Sequence, residues 1–383
     1  MPEGKRINLE RLKNNFIQLV KIDSPSRHEE DIAQFIRKWF VKEFPEATIV
    51  EDSSSLSTGS NVGNLIIKIP GNIEKEPIFF NAHMDTVEPG RGVKPIFQDG
   101  IFKSDGTTIL GADDKAAIAI IFELLSVLKE QNLKYGPIEL IFTTCEEIGL
   151  LGAKHLDISL IEAKAGIALD SEDPDQVINQ APSAIRFNIN VHGLSAHAGL
   201  NPEKGINAIK VASSAIAKAP QGRIDEDTTC NIGVIKGGVA TNIIPDRVSI
   251  NGEVRSHNEK MLRKIQDEII GCFYKAAEDF KATEDSNYPY VTVTVEDDYP
   301  LMKVPEDHKL VKAILQAGKN LKRDLQLVKT GGGSDANILN KLGLTTIILG
   351  IGMDKVHTTS EQISLIDMEK SVKLLLEIIN IWS

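Results

Sequence analysis

The sequence predicts an α/β protein in which a mostly parallel sheet flanked by helices is interrupted by a smaller inserted α+β domain. Three observations lead there. The 383 residues exceed the size at which one hydrophobic core keeps growing, so two domains are expected. In the first half of the chain, short apolar runs alternate with apolar stretches of helical length. Near residue 181 that pattern gives way to a β-α-β-β-α-β order, and after Pro300 it returns.

Apolar residues at helical spacing from Leu9 to Phe44 are broken at Asp23-Ser24-Pro25-Ser26, where Ser and Pro stop one helix and start another. Asn64 to Ile69, Ile78 to Ala82, Ile138 to Thr143 and Gly166 to Leu169 are short apolar runs that read as buried strands. Ala116 to Glu130, between the second and third, reads as a helix. The inserted region begins with a strand from Ile185 to Val191 and a helix from Gly205 to Ala219. Strands around Cys230 to Ile235 and Val248 to Arg255 follow, then a helix from Lys260 to Phe280. Val291 to Val295 alternates Val with Thr, as a half-exposed strand does. That order is typical of a small ferredoxin-like domain. A helix from His308 to Lys319, a Gly-rich loop, a strand from Thr345 to Leu349 and a helix from Ile366 to Trp382 complete the first domain. The expected limits are 1–180, 181–299 and 300–383.

Hydrophobic residues at 42% and charged residues at 25% leave ample material for a buried core. The net charge of −11 argues against nucleic acid as a partner, because a phosphate backbone calls for concentrated Lys and Arg. Cys145, Cys230 and Cys272 lie far apart with no CxxC pair, so neither a disulfide framework nor a thiolate metal site is expected. No run approaches the roughly 20 apolar residues of a membrane span, and the N-terminus is charged and amphipathic rather than signal-like. These features predict a cytoplasmic protein with no membrane association.

The chemistry sits just past the ends of the expected strands, where open α/β sheets bind their ligands. In Asn81-Ala82-His83-Met84-Asp85, His83 and Asp85 are two apart and share one side of an extended chain, so the carboxylate can orient the imidazole. In Leu110-Gly111-Ala112-Asp113-Asp114-Lys115, Asp113 enters a helix and also has a plain reading as its cap. Thr143-Thr144-Cys145-Glu146-Glu147 places two carboxylates in opposed directions after a strand, one for metal and one for protons. Asp170 in Ala168-Leu169-Asp170-Ser171-Glu172-Asp173 and His357 in Val356-His357-Thr358-Thr359-Ser360-Glu361 complete the set. Each alone has an ordinary surface reading; five in this order point to one site. Acids and imidazoles without sulfur suit borderline metals, and bridging carboxylates favour a pair of ions roughly 3.5–4 Å apart.

The strings HMD, LGADDKAA, TTCEEIGLLGA, ALDSED, VHGLSAHAG and VHTTSEQI resemble those of the dinuclear zinc exopeptidases, nearest to the peptidase T branch of tripeptide aminopeptidases. The resemblance covers essentially the whole chain. It implies a zinc-exopeptidase-like catalytic domain, an inserted lid and dimerisation domain, and two Zn²⁺ per subunit, with Co²⁺ or Mn²⁺ as substitutes. It implies that His83 and Asp170 bind one ion, that Glu147 and His357 bind the other, and that Asp113 bridges them. Asp85 would orient His83 and Glu146 would be the general base. The implied substrate is a short peptide. An amidohydrolase, deacylase or dipeptidase of the same family is the alternative, since one metal site serves all of them.

In the inserted domain, His197 of Val191-His192-Gly193-Leu194-Ser195-Ala196-His197-Ala198-Gly199 matches a family histidine that reaches the active site of a neighbouring subunit. The resemblance therefore implies a homodimer. Asn242 and Arg255 fall in segments that look like substrate contacts; Arg255 has the fork to clamp a peptide carboxylate and also an ion-pair reading. Gly331-Gly332-Gly333-Ser334 lacks the Lys-Ser/Thr ending of a phosphate loop, and the resemblance makes Gly332 and Ser334 part of the peptide pocket.

Overall fold

The computed structural model describes residues 7–281 and 287–382. The chain divides into two compact units: Met1–Gln180 with Met302–Thr330 and Ser334–Ser383, and Ala181–Leu301 with Gly331–Gly333. Gly331–Gly333, expected in the last segment of the first domain, thus group with the second unit. A side chain at Gly333 would run into the Tyr299 ring, 2.4 Å from its Cζ, which is why this loop can lie so close to Tyr299.

The first unit is built on a nine-stranded sheet. Its central strands, Ile78–His83, Ile138–Thr143, Ala165–Ala168 and Thr345–Leu349, run parallel, and the first three are buried at every position. Continuous apolar runs are what parallel strands covered on both faces require. Antiparallel neighbours flank them: Leu65–Ile69 beside Ile138–Thr143, Thr48–Glu51 beside Leu65–Ile69, and Gln176–Ala181 beside Thr345–Leu349. The sheet is therefore mixed, parallel where the apolar runs are strongest and antiparallel towards its flanks. The short strands were not foreseen, because two to four half-exposed residues carry no periodicity.

Register matters more than strand number here. Ile78 pairs with Ile138 and His83 with Thr143, while Phe79 pairs with Gly166 and Asn81 with Ala168. Three neighbouring strands therefore finish at one edge of the sheet, and the segments that follow them start side by side.

Helix Ala112–Glu130 is buried from Ala112 to Leu128. From Ala116 to Leu128 it is apolar except for Glu123 and Ser126, as suits a helix inside a layer. It contacts the Ile78–His83 strand and the helices Leu9–Val20 and Leu365–Ile381. Each of its buried Ile, Leu and Phe side chains contributes about 1.5–3 kcal/mol of transfer free energy. A small four-stranded sheet joins Ile96–Gln98, Ile101–Lys103, Gln362–Ser364 and Met353–Asp354. Pairing of Ile363 with Phe102 brings the C-terminal loop 355–361 to the segment leading into that helix. Among the described residues, no helix is long and apolar enough to cross a membrane.

The second unit is a five-stranded antiparallel sheet in the order Gly222–Arg223, Thr228–Gly237, Arg247–Ser256, Ser183–His192, Tyr290–Tyr299. Helices Ala208–Ile216 and Glu259–Asp279 complete the β-α-β-β-α-β order. Ile185, Phe187, Ile189 and Val191 alternate onto one face and pack with Val211, Leu262, Ile265, Ile269 and Phe273 of the helices. Opposite Phe187 stands Gly252, where a Cβ would lie 2.3 Å from the Phe187 ring.

Candidate metal centre

His83 ends its strand and is 3% exposed. Its Nδ1 is 2.9 Å from the Asp85 backbone carbonyl. A carbonyl only accepts, so Nδ1 donates to it, which leaves Nε2 as the nitrogen that faces Asp113 and would serve a metal. Nε2 in turn is 2.9 Å from Asp113 Oδ1. The other carboxylate oxygen of Asp113, Oδ2, is 3.3 Å from His357 Nε2, which is also 3.0 Å from Glu147 Oε2. Asp113 thus offers one oxygen to each imidazole. It does not cap the helix; Gly111, at φ 76°, holds that position with no side-chain bond.

Asp85 faces His83 Nδ1 with its carbonyl and has a further role through its side chain. Its carboxylate is 3.6 Å from His83 Nδ1 and accepts from the N–H groups of Glu146 at 2.9 Å and Glu147 at 3.2 Å, and from the Ser26 hydroxyl at 2.6 Å. The imidazole is oriented by the Asp85 main chain, and the side chain anchors the turn that carries both glutamates. Glu29 anchors the same turn one residue earlier, accepting the Cys145 N–H at 2.9 Å. Cys145 at φ 54° and His357 at φ 61° are left-handed without being glycine. Such backbone costs of order 1–3 kcal/mol and persists where surrounding contacts impose it.

Electrostatics show what the cluster lacks. Burial pushes the Glu146 carboxyl well above its ordinary range; His83 opposes this, while Asp170, Asp335 and Glu147 add repulsion. Asp170 is raised in the same way by burial and then by Asp113. Asp335 is pushed up to about 6, chiefly by burial, against a hydrogen bond from the Thr143 hydroxyl. Asp113 moves the other way: burial would raise it, yet hydrogen bonds with His357 and His83 hold it below the usual carboxylate range. His357 rises to about 10 through its bonds to Asp113 and Glu147. For His83, burial works against the charge, but Asp113 and Asp85 prevail and raise it. The site gathers more carboxylates than its two imidazoles can balance, a donor set whose charge suits cations.

The donor set fits a metal. Donor atoms of His83, Asp113 and Glu147 all lie within 4.8 Å of one another. Ligands roughly 2.0–2.1 Å from a tetrahedral ion of zinc's size are about 3.3 Å apart, close to the separations seen around Asp113.

The structure therefore brings together His83, Asp113, Glu146, Glu147, Asp170 and His357 within the first unit. Sequence reasoning missed four buried acids that join them: Glu29, Asp114, Asp335 and Glu361. Asp114 Oδ2 accepts the His83 N–H at 3.1 Å. Asp114 and Glu361 lay within strings already noted, but nothing local marked their partners.

The remaining expected residues lie apart from that cluster in role. Ser334 caps helix Asp335–Lys341: its hydroxyl accepts from Ala336 N–H, and its own N–H donates to Asn337 Oδ1. Arg255 pairs through Nε and Nη2 with both oxygens of Glu253, and Nη1 points to the Gly331 carbonyl at 3.4 Å. His197 is exposed in the second unit; its Nδ1 accepts from Gly199 and Leu200 N–H, so Nε2 carries the hydrogen. The Asn242 carbonyl accepts the Ala198 N–H, which sets Asn242 beside the His197 turn.

Hard nitrogen and oxygen donors around a carboxylate with a bond to each imidazole mark a metal-dependent hydrolase. The chain belongs to peptidase family M20/M25/M40, whose model matches residues 79–381, and it is a metallopeptidase. Among solved structures, aminopeptidase PepT from Bacillus cereus is 40% identical with a TM-score of 0.89, covering 99% of each chain. A tripeptidase from Staphylococcus aureus is 37% identical with a TM-score of 0.92, covering 98% of each. The Bacillus subtilis protein YqjE is 41% identical over 97% of this chain and 98% of its own length.

Proposed function

We propose that this metallopeptidase is an aminopeptidase that removes the N-terminal residue of tripeptides and other short peptides with two metal ions, zinc in the first instance. The observation that carries the reading is Asp113, whose two oxygens face His83 and His357 separately. His83 and Asp170 would hold one ion, Glu147 and His357 the other, with Asp113 between them. Co²⁺ or Mn²⁺ would substitute, since the donors are oxygen and nitrogen only. When bound, such ions lower the pKa of a water towards about 7 and polarise the scissile carbonyl. Glu146 takes the proton of the attacking water and passes it to the leaving amine. Asp85 holds the Glu146 and Glu147 N–H groups, so the base and a ligand move as one piece.

Similarity to a PepT aminopeptidase and a tripeptidase, each near 40% identity over nearly the full chain, supports the substrate class. We further propose that Asn242, Arg255 and Gly332 contact the peptide, Arg255 through the Nη1 edge that Glu253 leaves. Ser334, which caps helix Asp335–Lys341 by accepting the Ala336 N–H, stays in the same proposed set through its hydroxyl hydrogen. A panel of one tripeptide in free, N-acetylated and C-amidated forms tests both points. The free form should be cleaved fastest, and amidation should raise KM. Faster cleavage of the acetylated form would identify a deacylase, and an unchanged KM on amidation would remove Arg255 from the pocket.

The dimer and the cytoplasmic location belong to the same proposal. The free cysteines support a reducing compartment, and recovery of the protein outside the cytoplasmic fraction of disrupted cells would overturn it. For the dimer, His197 of one subunit is assigned to the metal centre of its partner, where its Nε2–H would donate to the developing oxyanion. Glu146→Gln and His197→Ala homodimers should each be nearly inactive. After random subunit exchange, half the dimers are mixed, each with one intact site, so about a quarter of wild-type activity should return. No recovery despite exchange seen by mass spectrometry would return His197 to its own subunit.

A further inference from the structure

We propose that Glu361 is a positioning residue for the metal centre: it holds Asp113 in register by tying the 110–113 turn to the loop that carries His357. This rests on the reading of Asp113 as the ligand shared by two ions. Glu361 is 1% exposed. Its Oε2 accepts the N–H groups of Leu110 and Gly111, both at 2.7 Å, and its Oε1 accepts the Asp113 N–H at 3.0 Å. Three donors on one buried carboxylate is a demanding arrangement, and the turn has reason to need it. Asp113 (φ −80°, ψ 101°) and Asp114 (φ −123°, ψ 24°) are not helical, although they stand at the start of helix Ala112–Glu130. N–H groups at a helix start have no carbonyl of their own helix to reach. A carboxylate supplies the acceptors and does so with charge-assisted bonds.

The other end of Glu361 is fixed just as firmly. Its N–H donates to the Thr358 carbonyl at 3.1 Å, and the next residues pair with Ile101–Lys103 in the small sheet. His357 lies four residues before it. One side chain therefore couples two segments some 250 residues apart in sequence, and these segments carry the two groups that meet at 3.3 Å, Asp113 Oδ2 and His357 Nε2. Displacing the 110–113 turn shifts Asp113 relative to both imidazoles at once. Residues that orient metal ligands from behind typically alter affinity by roughly 10–100-fold when changed.

Glu361→Gln is the informative variant. Whichever way the amide is turned, its NH₂ group faces at least one backbone N–H that Glu361 now satisfies. Zn²⁺ affinity is measured by titration against a chromophoric chelator in wild type, Glu361→Gln, Glu361→Asp and Asp113→Asn, with the melting temperature of each metal-free protein alongside. The expected result is a 10–100-fold weaker Zn²⁺ affinity in Glu361→Gln, partial recovery in Glu361→Asp, and activity restored when Zn²⁺ is raised. Wild-type affinity in Glu361→Gln overturns the proposal, even if the metal-free protein melts earlier, because the residue would then serve only the fold. Should Glu361→Gln not fold, wild-type affinity in Glu361→Asp overturns it equally. Asp113→Asn separates the two levels: if it binds Zn²⁺ like wild type, the shared-ligand reading fails; if it loses metal while Glu361→Gln does not, only the present proposal fails.

Discussion

Glu146→Gln should keep its metal and lose turnover by roughly 10²–10⁴-fold or more, the range attached to removal of a general base. The side chain is 9% exposed, and the backbone beneath it is held independently of its carboxylate by the bond from Glu146 N–H to Asp85. Gln has the same shape, so neither the turn nor Glu147 should move. What disappears is the capacity to accept a proton and return it. Burial raises the Glu146 carboxyl well above its ordinary range, with repulsion from Asp170, Asp335 and Glu147. The measurement is kcat at saturating tripeptide, with metal content determined on the same sample. Near-normal kcat would reassign the base; loss of metal together with activity would make Glu146 a ligand instead.

Asp113→Ala should be the most damaging change among the proposed ligands. Every other ligand would serve one ion, whereas the two oxygens of Asp113 face different imidazoles, 2.9 Å and 3.3 Å away. Removing the carboxylate relieves some repulsion on Glu147 and Asp170, but it takes away the group that faces both imidazoles. Metal content should fall well below two per chain, and activity should be abolished as it is by chelation of the wild type. Retention of two ions per chain after exhaustive dialysis would rule out the bridging role. Restoration of full activity by zinc, cobalt or manganese applies to the chelated wild type and not to this variant, so the two experiments check each other.

The elements that carry the site were legible because they obey local rules. The runs Ile78 to Ala82 and Ile138 to Thr143 are apolar and end in His or acid, which places chemistry at a strand terminus before any fold is known. Helix Ala112–Glu130 was foreseen from Ala116, and its true start was hidden because Asp113 and Asp114 are not helical. The sulfur-free donor set, and with it the choice of a borderline metal, also came from residue types alone.

What could not be read were the partners. Asp85 stands two residues from His83, and sequence logic paired their side chains; in the fold a backbone carbonyl does that task and the carboxylate turns to the glutamates 61 and 62 residues away. Glu29, Asp335 and Glu361 satisfy donors 116, 192 and up to 251 residues distant, and no periodicity or turn signal encodes such distances. Arg255 offered a fork for a substrate carboxylate, but Glu253 on the same face of its strand reached two of its nitrogens first.

By itself, the sequence determined the alternation of buried strands and helices, the inserted α+β order and which acids and imidazoles stand at the strand ends, because burial and backbone preference act over a few residues. The tertiary structure alone decided which oxygen faces which imidazole, which acids stand behind the ligands, and that the sheet is mixed rather than mostly parallel. Those outcomes depend on strand register and on long-range hydrogen bonds to buried carboxylates. Their energies arise only once distant segments share one desolvated place.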